Sequence, residues 1–242
     1  MLSMQLINGV LIDWDKIDRG SYLREIPAIH DVDRIDFSNP VTFFVGENGS
    51  GKSTLLEAIA VEYGFNPEGG TRNYNFSTYD SHSELCQAIR LSRGVRRARY
   101  GYFLRAESFY NAATYLDSMD ARALRSYGGR SLHKMSHGES FLALVENRFS
   151  PDGLFILDEP EAAVSPTRML RLMADIHELA KGGAQFIIST HSPLLITLPG
   201  ADILQFTEKG MARVPYEETE HFRVTRDFLA DPQRMLRILL ED

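Results

Sequence analysis

One cysteine, Cys86, is present in 242 residues. An intrachain disulfide and a cysteine-rich zinc site are thereby excluded, and a reducing, cytoplasmic setting is expected. No run of about 18 apolar residues occurs, and Met1 to Val10 lacks a basic stretch followed by a long apolar core, so neither a membrane span nor an export signal is expected. Positive charge is in deficit: 26 Lys and Arg face 33 Asp and Glu, for a formal net charge of −7. A surface coated in nucleic acid is not favoured by that balance. Arg90, Arg93, Arg96, Arg97, Arg99 and Arg105 are a local exception; a solvated helix and loop face is the expected use, with an acidic partner or nucleic acid as the sharper alternative. Repeats and low-complexity tracts are absent, and no heptad insertion separates Ala60 from Gly128, which excludes coiled-coil arms there.

Hydrophobic residues make up 43% and charged residues 24%, a balance that leaves no room for a large disordered fraction and predicts one compact α/β unit. Val41 to Val45 is a β-branched and aromatic run that ends in a Gly-rich turn, and Lys52 to Tyr63 then carries apolar residues at helical spacing. Leu6 to Trp14 and Asp33 to Phe37 read as further strands. Gly64 to Ser81 reads as a long surface segment, Ser83 to Ser92 as a helix, Tyr100 to Leu104 as a strand and Ser108 to Ser126 as a helix. Helix Glu139 to Arg148, strand Leu154 to Leu157, helix Pro166 to Lys181 and strand Gln185 to Ser189 follow, an alternation that predicts a parallel sheet. Ile203 to Phe206 and Ala212 to Pro215 flank the turn-like Glu208-Lys209-Gly210 as a hairpin, and Phe222 to Leu240 is helical with a break at Asp231-Pro232.

The chemistry concentrates at three of these strand ends. Gly46-Glu47-Asn48-Gly49-Ser50-Gly51-Lys52-Ser53, followed by Thr54, matches the Walker A pattern and sits between strand and helix, where that pattern must sit. The glycines let backbone N–H groups wrap around phosphates, the helix N-terminus adds favourable partial charge, Lys52 reaches the β- and γ-phosphates, and the Ser53 hydroxyl ligates Mg²⁺. ATP and Mg²⁺ are therefore the expected ligands. Leu154 to Leu157 delivers Asp158 and Glu159 at its C-terminal end, where open α/β sheets bind ligands. Asp158 is expected to hold Mg²⁺ through its water shell and Glu159 to act as general base toward the attacking water. A second apolar strand ends in Ser189-Thr190-His191-Ser192-Pro193, from which His191 could contact the γ-phosphate. His30, His82, His133, His177 and His221 are expected to be structural. Tyr22 is the candidate for stacking on adenine, with core packing as the competing use.

Met135-Ser136-His137-Gly138-Glu139, ahead of a helix, resembles the ABC signature, an apolar residue followed by Ser-Gly-Gly-Gln, at its usual distance from Asp158. Ser136 with Glu139 also reads as a capping box, and both readings can hold. The order Walker A, signature, carboxylate pair, histidine is similar to that of small stand-alone ABC ATPases of the AAA group, related to the heads of chromosome-segregation and recombination-repair ATPases. The resemblance covers roughly Leu6 to Phe206. It implies an α/β P-loop NTPase of ABC type: a mainly parallel central sheet, an N-terminal antiparallel β subdomain, and an inserted helical lobe. Residues 1–63 and 150–242 would form the nucleotide-binding core of a single domain, with 64–149 as the lobe carrying the signature. It also implies an ATPase whose Ser136 and Gly138 bind the γ-phosphate held by a second copy, hence a homodimer on ATP binding. The expected role is a soluble mechanical switch in DNA maintenance or anti-phage defence, with a protein or nucleic-acid partner. The alternative is the nucleotide-binding subunit of an ABC transporter. Such subunits carry a Gln where this chain has Arg105-Ala106-Glu107; Glu107 is the candidate for that place, with Gln87 as the competitor. A sensing module with negligible turnover is a third reading, permitted by His137 in the signature. The family's D-loop aspartate is absent, with Ser165 as a substitute.

Overall fold

The computed structural model describes residues 5–71, 83–105 and 137–240. Strands β1 (Ile7–Ile12), β2 (Arg34–Asp36) and β4 (Ile89–Arg93) form a three-stranded antiparallel sheet in the order β2-β1-β4. Strands β3 (Val41–Gly46), β5 (Tyr100–Arg105), β6 (Gly153–Asp158), β7 (Gln185–Ser189), β8 (Asp202–Thr207) and β9 (Gly210–Arg213) form the six-stranded sheet β5-β6-β7-β3-β8-β9. Every pairing in it is parallel except the β8–β9 hairpin. The helices are α1 (Lys52–Tyr63), α2 (Leu85–Ala88), α3 (His137–Arg148), α4 (Pro166–Lys181), α5 (Glu220–Ala230) and α6 (Pro232–Leu240). The expected mainly parallel sheet with an antiparallel N-terminal subdomain is what the chain forms. Among the described residues no helix is long and apolar enough to cross a membrane.

Alternation along the central strands explains why the large sheet is covered on both sides. On β3, Phe44 packs with α1 and the antiparallel sheet, while Val41, Phe43 and Val45 pack with α3 and α4. On β6, Leu154 and Ile156 face the first cluster, and Phe155 and Leu157 face the second. Phe149 stacks on Phe155 with ring centroids 3.9 Å apart, and Phe155 lies 5.1 Å from Phe186, so the second layer is built around aromatic contact. Helix α4 presents Met169, Leu172 and Ile176 inward, at the i, i+3, i+7 spacing of one helical face.

Gln185, at the start of β7, joins the two sheets. It is 1% exposed. Its Oε1 accepts from the backbone N–H groups of Leu6 (2.9 Å) and Ile7 (2.8 Å), and its Nε2 donates to the Ile7 carbonyl (2.8 Å). One side chain thus satisfies three buried main-chain groups at the beginning of β1.

Two expectations change. Ser83 to Ser92 does not continue as a helix: one turn, α2, gives way to β4. Ile89 and Leu91 alternate with Arg90 and Ser92, and pairing of β4 with β1, Ile89 opposite Ile12 and Leu91 opposite Val10, outweighs the local helical spacing. The arginines of the stripe are solvated in large part as expected, Arg90, Arg93, Arg97 and Arg99 being exposed, but these four lie on β4 and the loop after it and not on a helix. Arg93 donates to the Glu62 carbonyl and lies over the Tyr63 ring, Arg96 pairs with Asp152 at 3.0 Å, and Arg105 pairs with Glu57 at 2.7 Å. The expected helix Ser108 to Ser126, and the parts of the expected lobe at 72–82 and 106–136, lie outside the described residues.

Candidate functional site

Strand register builds the site. In the parallel stack, Phe44 lies level with Ser189 and Ser189 level with Asp158, so the segments that follow β3, β6 and β7 emerge on one edge. Two backbone bonds tie them: Glu159 N–H donates to Ser189 O (2.9 Å) and Thr190 N–H to Phe44 O (3.0 Å).

The Gly46–Ser53 loop turns from β3 into α1 through three glycines with positive φ, Gly46, Gly49 and Gly51. Gly51 (φ +95°) is the residue before α1, and a β-carbon there would come within 2.6 Å of Ile29 Cδ1 and 2.8 Å of Ile26 Cγ2. Both conformation and space therefore demand glycine. Lys52 is 3% exposed, and its ammonium donates to the carbonyls of Gly46 and Glu47, each at 2.7 Å. Burial pushes its pKa below the usual lysine range, against the pull of the Glu159, Asp158, Glu161 and Glu47 carboxylates. The Ser50 hydroxyl is buried without a hydrogen-bond partner among the described residues, an acceptor and donor still to be used by a ligand.

Ser53 Oγ donates to Asp158 Oδ1 at 3.1 Å. Burial raises the Asp158 carboxyl above its ordinary value, while the Ser53 hydrogen bond and Arg105 act in the opposite sense. A hydroxyl and a carboxylate together are the hard oxygen donors that Mg²⁺ takes from protein before water and phosphate complete its shell, so these two residues fit that ion. Glu159 follows with φ +49° and ψ +55°. A non-glycine residue in this left-handed region is strained, of order 1 kcal/mol or more, and such strain concentrates at functional positions. His191 Nε2 lies 3.5 Å from Glu159 Oε1, and the atom is buried without a hydrogen-bond partner among the described residues. Lys52, Ser53, Asp158, Glu159 and His191 therefore converge.

Two contributors escaped the reading from sequence. Glu161 Oε1 accepts from the His191 backbone N–H at 2.5 Å, which fixes the loop carrying that histidine. His221, expected to be merely structural, brings Nε2 within 3.0 Å of His191 Nδ1. No local pattern joins residues so far apart in sequence; only the packing of α5 does. Beside them an open cleft of about 680 Å³ is lined by the loop Gly46 to Ser50, by Gln205 to Lys209 of the β8–β9 hairpin, by Pro27 and Ala28, and by Glu220 and His221. That size suits a small-molecule ligand. Tyr22 is not part of this lining. It is 55% exposed, with its hydroxyl 3.4 Å from Ser83 Oγ, so it belongs neither to the cleft nor to the core.

Other candidates have plainer positions. Ser165 caps α4 by accepting from Arg168 N–H (3.4 Å). Arg105 is held by Glu57 and by the Pro67 carbonyl. Ser136 and Glu107 lie outside the described residues, while His137 and Gly138 open α3. Farther along α3, Glu139 pairs with Arg168 of α4 at 3.2 Å.

Parts of the chain match known families and proteins. Residues 20–103 match a family model described as "AAA domain", and residues 125–197 match one described as "AAA domain, putative AbiEii toxin, Type IV TA system". The manganese transport system ATP-binding protein MntA of Synechocystis is 27% identical over 62% of this chain and 64% of its own length, so the chain spans less than two thirds of that relative. An uncharacterized ABC transporter ATP-binding protein of Haemophilus influenzae is 24% identical over 69% of each chain. Among solved structures, cbiO1 of Clostridium perfringens, part of an ABC transporter complex, aligns over 96% of this chain and 99% of that one, with 16% identity and a TM-score of 0.48. With the phosphate loop, the paired carboxylates and the histidine brought to one edge of a mainly parallel sheet, the chain is a small P-loop ATPase domain of the ABC type.

Proposed function

We propose that this chain hydrolyses ATP at the Gly46–Ser53 loop, with Glu159 as general base, and that two copies close on two nucleotides to drive a partner chain. The convergence of Lys52, Ser53, Asp158, Glu159 and His191 on one sheet edge carries the reading. Main-chain N–H groups of the loop and Lys52 neutralise the phosphates, and Ser53 and Asp158 hold Mg²⁺. The ion these two residues would hold would supply positive charge to offset the charge that develops on the phosphates. Glu159, 40% exposed at its side chain, reaches solvent where the attacking water arrives. His191, with Nε2 3.5 Å from Glu159 Oε1, would present that nitrogen toward the terminal phosphate. Ser136 and Gly138 would complete the second copy's site.

The transport relatives support a membrane permease as the partner, in preference to the DNA-maintenance or defence setting expected from the motif pattern. That second setting keeps two supports: Arg105-Ala106-Glu107 has no glutamine after β5, and one matching family description names a toxin system.

The test is phosphate release by the wild type, Lys52→Ala and Glu159→Gln. Lys52→Ala loses ATP binding. Glu159→Gln binds ATP but turns over at least about a hundredfold more slowly, and light scattering finds it dimeric in saturating Mg-ATP. Unchanged turnover removes Glu159 as base, and a monomer under those conditions removes the paired engine. Capture with the ATP-trapped Glu159→Gln chain then separates a permease from nucleic acid.

A further inference from the structure

The contact between His191 and His221 is unusual in what it leaves over. His191 has two ring nitrogens and two neighbours: Nδ1 faces His221 Nε2 at 3.0 Å, and Nε2 faces Glu159 Oε1 at 3.5 Å. The first distance is a hydrogen bond. The second is at the outer limit for one, and Nε2 is buried with no other partner among the described residues.

A neutral imidazole carries its proton on one nitrogen, so only two arrangements exist. If His191 donates from Nδ1 to His221, its bare Nε2 lone pair points at the Glu159 carboxylate, acceptor against acceptor. If His221 donates from Nε2, His191 keeps its proton on Nε2 and directs it at Glu159 and the phosphate pocket. The second arrangement alone has complementary charge at both ends.

His221 is well placed to enforce it. It is the second residue of α5, and Thr219, just before the helix, is fully buried. The Thr219 hydroxyl donates to the Tyr216 carbonyl at 2.6 Å, and Phe222 meets Tyr216 edge-on at 4.8 Å between centroids, against the aromatic layer of the core. The first turn of α5 is thus fixed from both sides of His221.

We propose that His221 is a positioning residue for His191: it donates Nε2–H to His191 Nδ1 and so holds the His191 ring in the tautomer that presents Nε2–H to the terminal phosphate. Ring charge supports this arrangement. Burial lowers the pKa of both histidines, and Lys52 lowers both further, with Glu159 pulling the other way on His191 and Glu220 and Glu161 on His221. Two neutral rings can share one proton between them in a single hydrogen bond, whereas two charged rings would face each other as donors.

The catalytic consequence rests on the role given to His191 above, but the tautomer does not, and the two are measured separately. Nitrogen NMR of the full nucleotide-free chain, with the His191 signals assigned by their loss in His191→Asn, reads the tautomer. The expected result is a protonated Nε2 and a bare Nδ1 in the wild type. A protonated Nδ1 overturns the proposal without any variant. In His221→Phe the Nε2–H preference is lost and kcat falls about tenfold, the worth of one neutral hydrogen bond, while KM for ATP changes less than about twofold. His221→Gln, whose amide can donate at a similar reach, restores both the tautomer and most of kcat. Failure of glutamine to restore a tautomer lost in phenylalanine overturns the donor role. A tautomer lost in His221→Phe with kcat unchanged supports the positioning contact and overturns the role of His191 in turnover.

Discussion

Replacing Gln185 by leucine tests whether the two sheets are held together by polar contact or by apolar volume. Leucine is similar in size and fills the space. It cannot accept from Leu6 and Ile7 or donate to the Ile7 carbonyl, so three buried main-chain groups lose the partner they have at 2.8–2.9 Å. Each such loss costs about 1–2 kcal/mol, and the three together about 3–5 kcal/mol once some relaxation is allowed. A domain stable by about 5–15 kcal/mol feels this strongly; for a chain of this size the melting temperature falls by roughly 10 °C. Equilibrium urea unfolding followed by circular dichroism gives the free energy, with the slope m showing whether β1 has detached in the native state. If Gln185→Leu stays within about 1 kcal/mol of wild type with the same m, apolar burial alone secures the antiparallel sheet and the reasoning fails.

Gly51→Ala combines a positive φ with contacts under 3 Å to Ile29 and Ile26; a loss of about 1–3 kcal/mol and weaker binding of an ATP analogue are expected, checked by thermal melting and titration calorimetry, and an alanine variant that binds normally would contradict the cradle geometry. The Glu161 carboxyl is raised above its ordinary value chiefly by burial, with its hydrogen bond from His191 acting oppositely. An acid raised in the fold contributes stability below its unfolded value of 4.5 and loses it as pH climbs through the folded value. Glu161→Gln, which can still accept from His191 N–H, is therefore expected to melt higher than wild type at pH 7, with an advantage that shrinks as pH drops toward 4.5; equal melting differences at both pH values would remove buried charge as the cause.

Sequence patterns revealed most of the central architecture because each central element carries its own signal. Pro166 to Lys181 has an amphipathic period and a capping serine, and Gly46 to Ser53 holds residues whose conformations are locally demanded. Ile89 to Arg93 was misread because five residues that alternate beside a helical turn take their identity from β1, many positions away. His221 and Glu161 were missed as site residues for the same reason: their meaning comes from a helix and a turn arriving beside His191. Tyr22 is exposed and outside the cleft lining, a placement that no local pattern around it signals.

The level alignment of Phe44, Ser189 and Asp158 makes the hydrophobic layers the ruler of the reaction centre. Shifting any one of β3, β6 or β7 by a single residue would exchange the two faces of that strand and at once carry its reactive tip about 3.3 Å out of line. Errors in core assembly and errors in chemistry are thus one event, so a chain that has buried its phenylalanines correctly has also assembled its catalytic edge, without a separate step to check it.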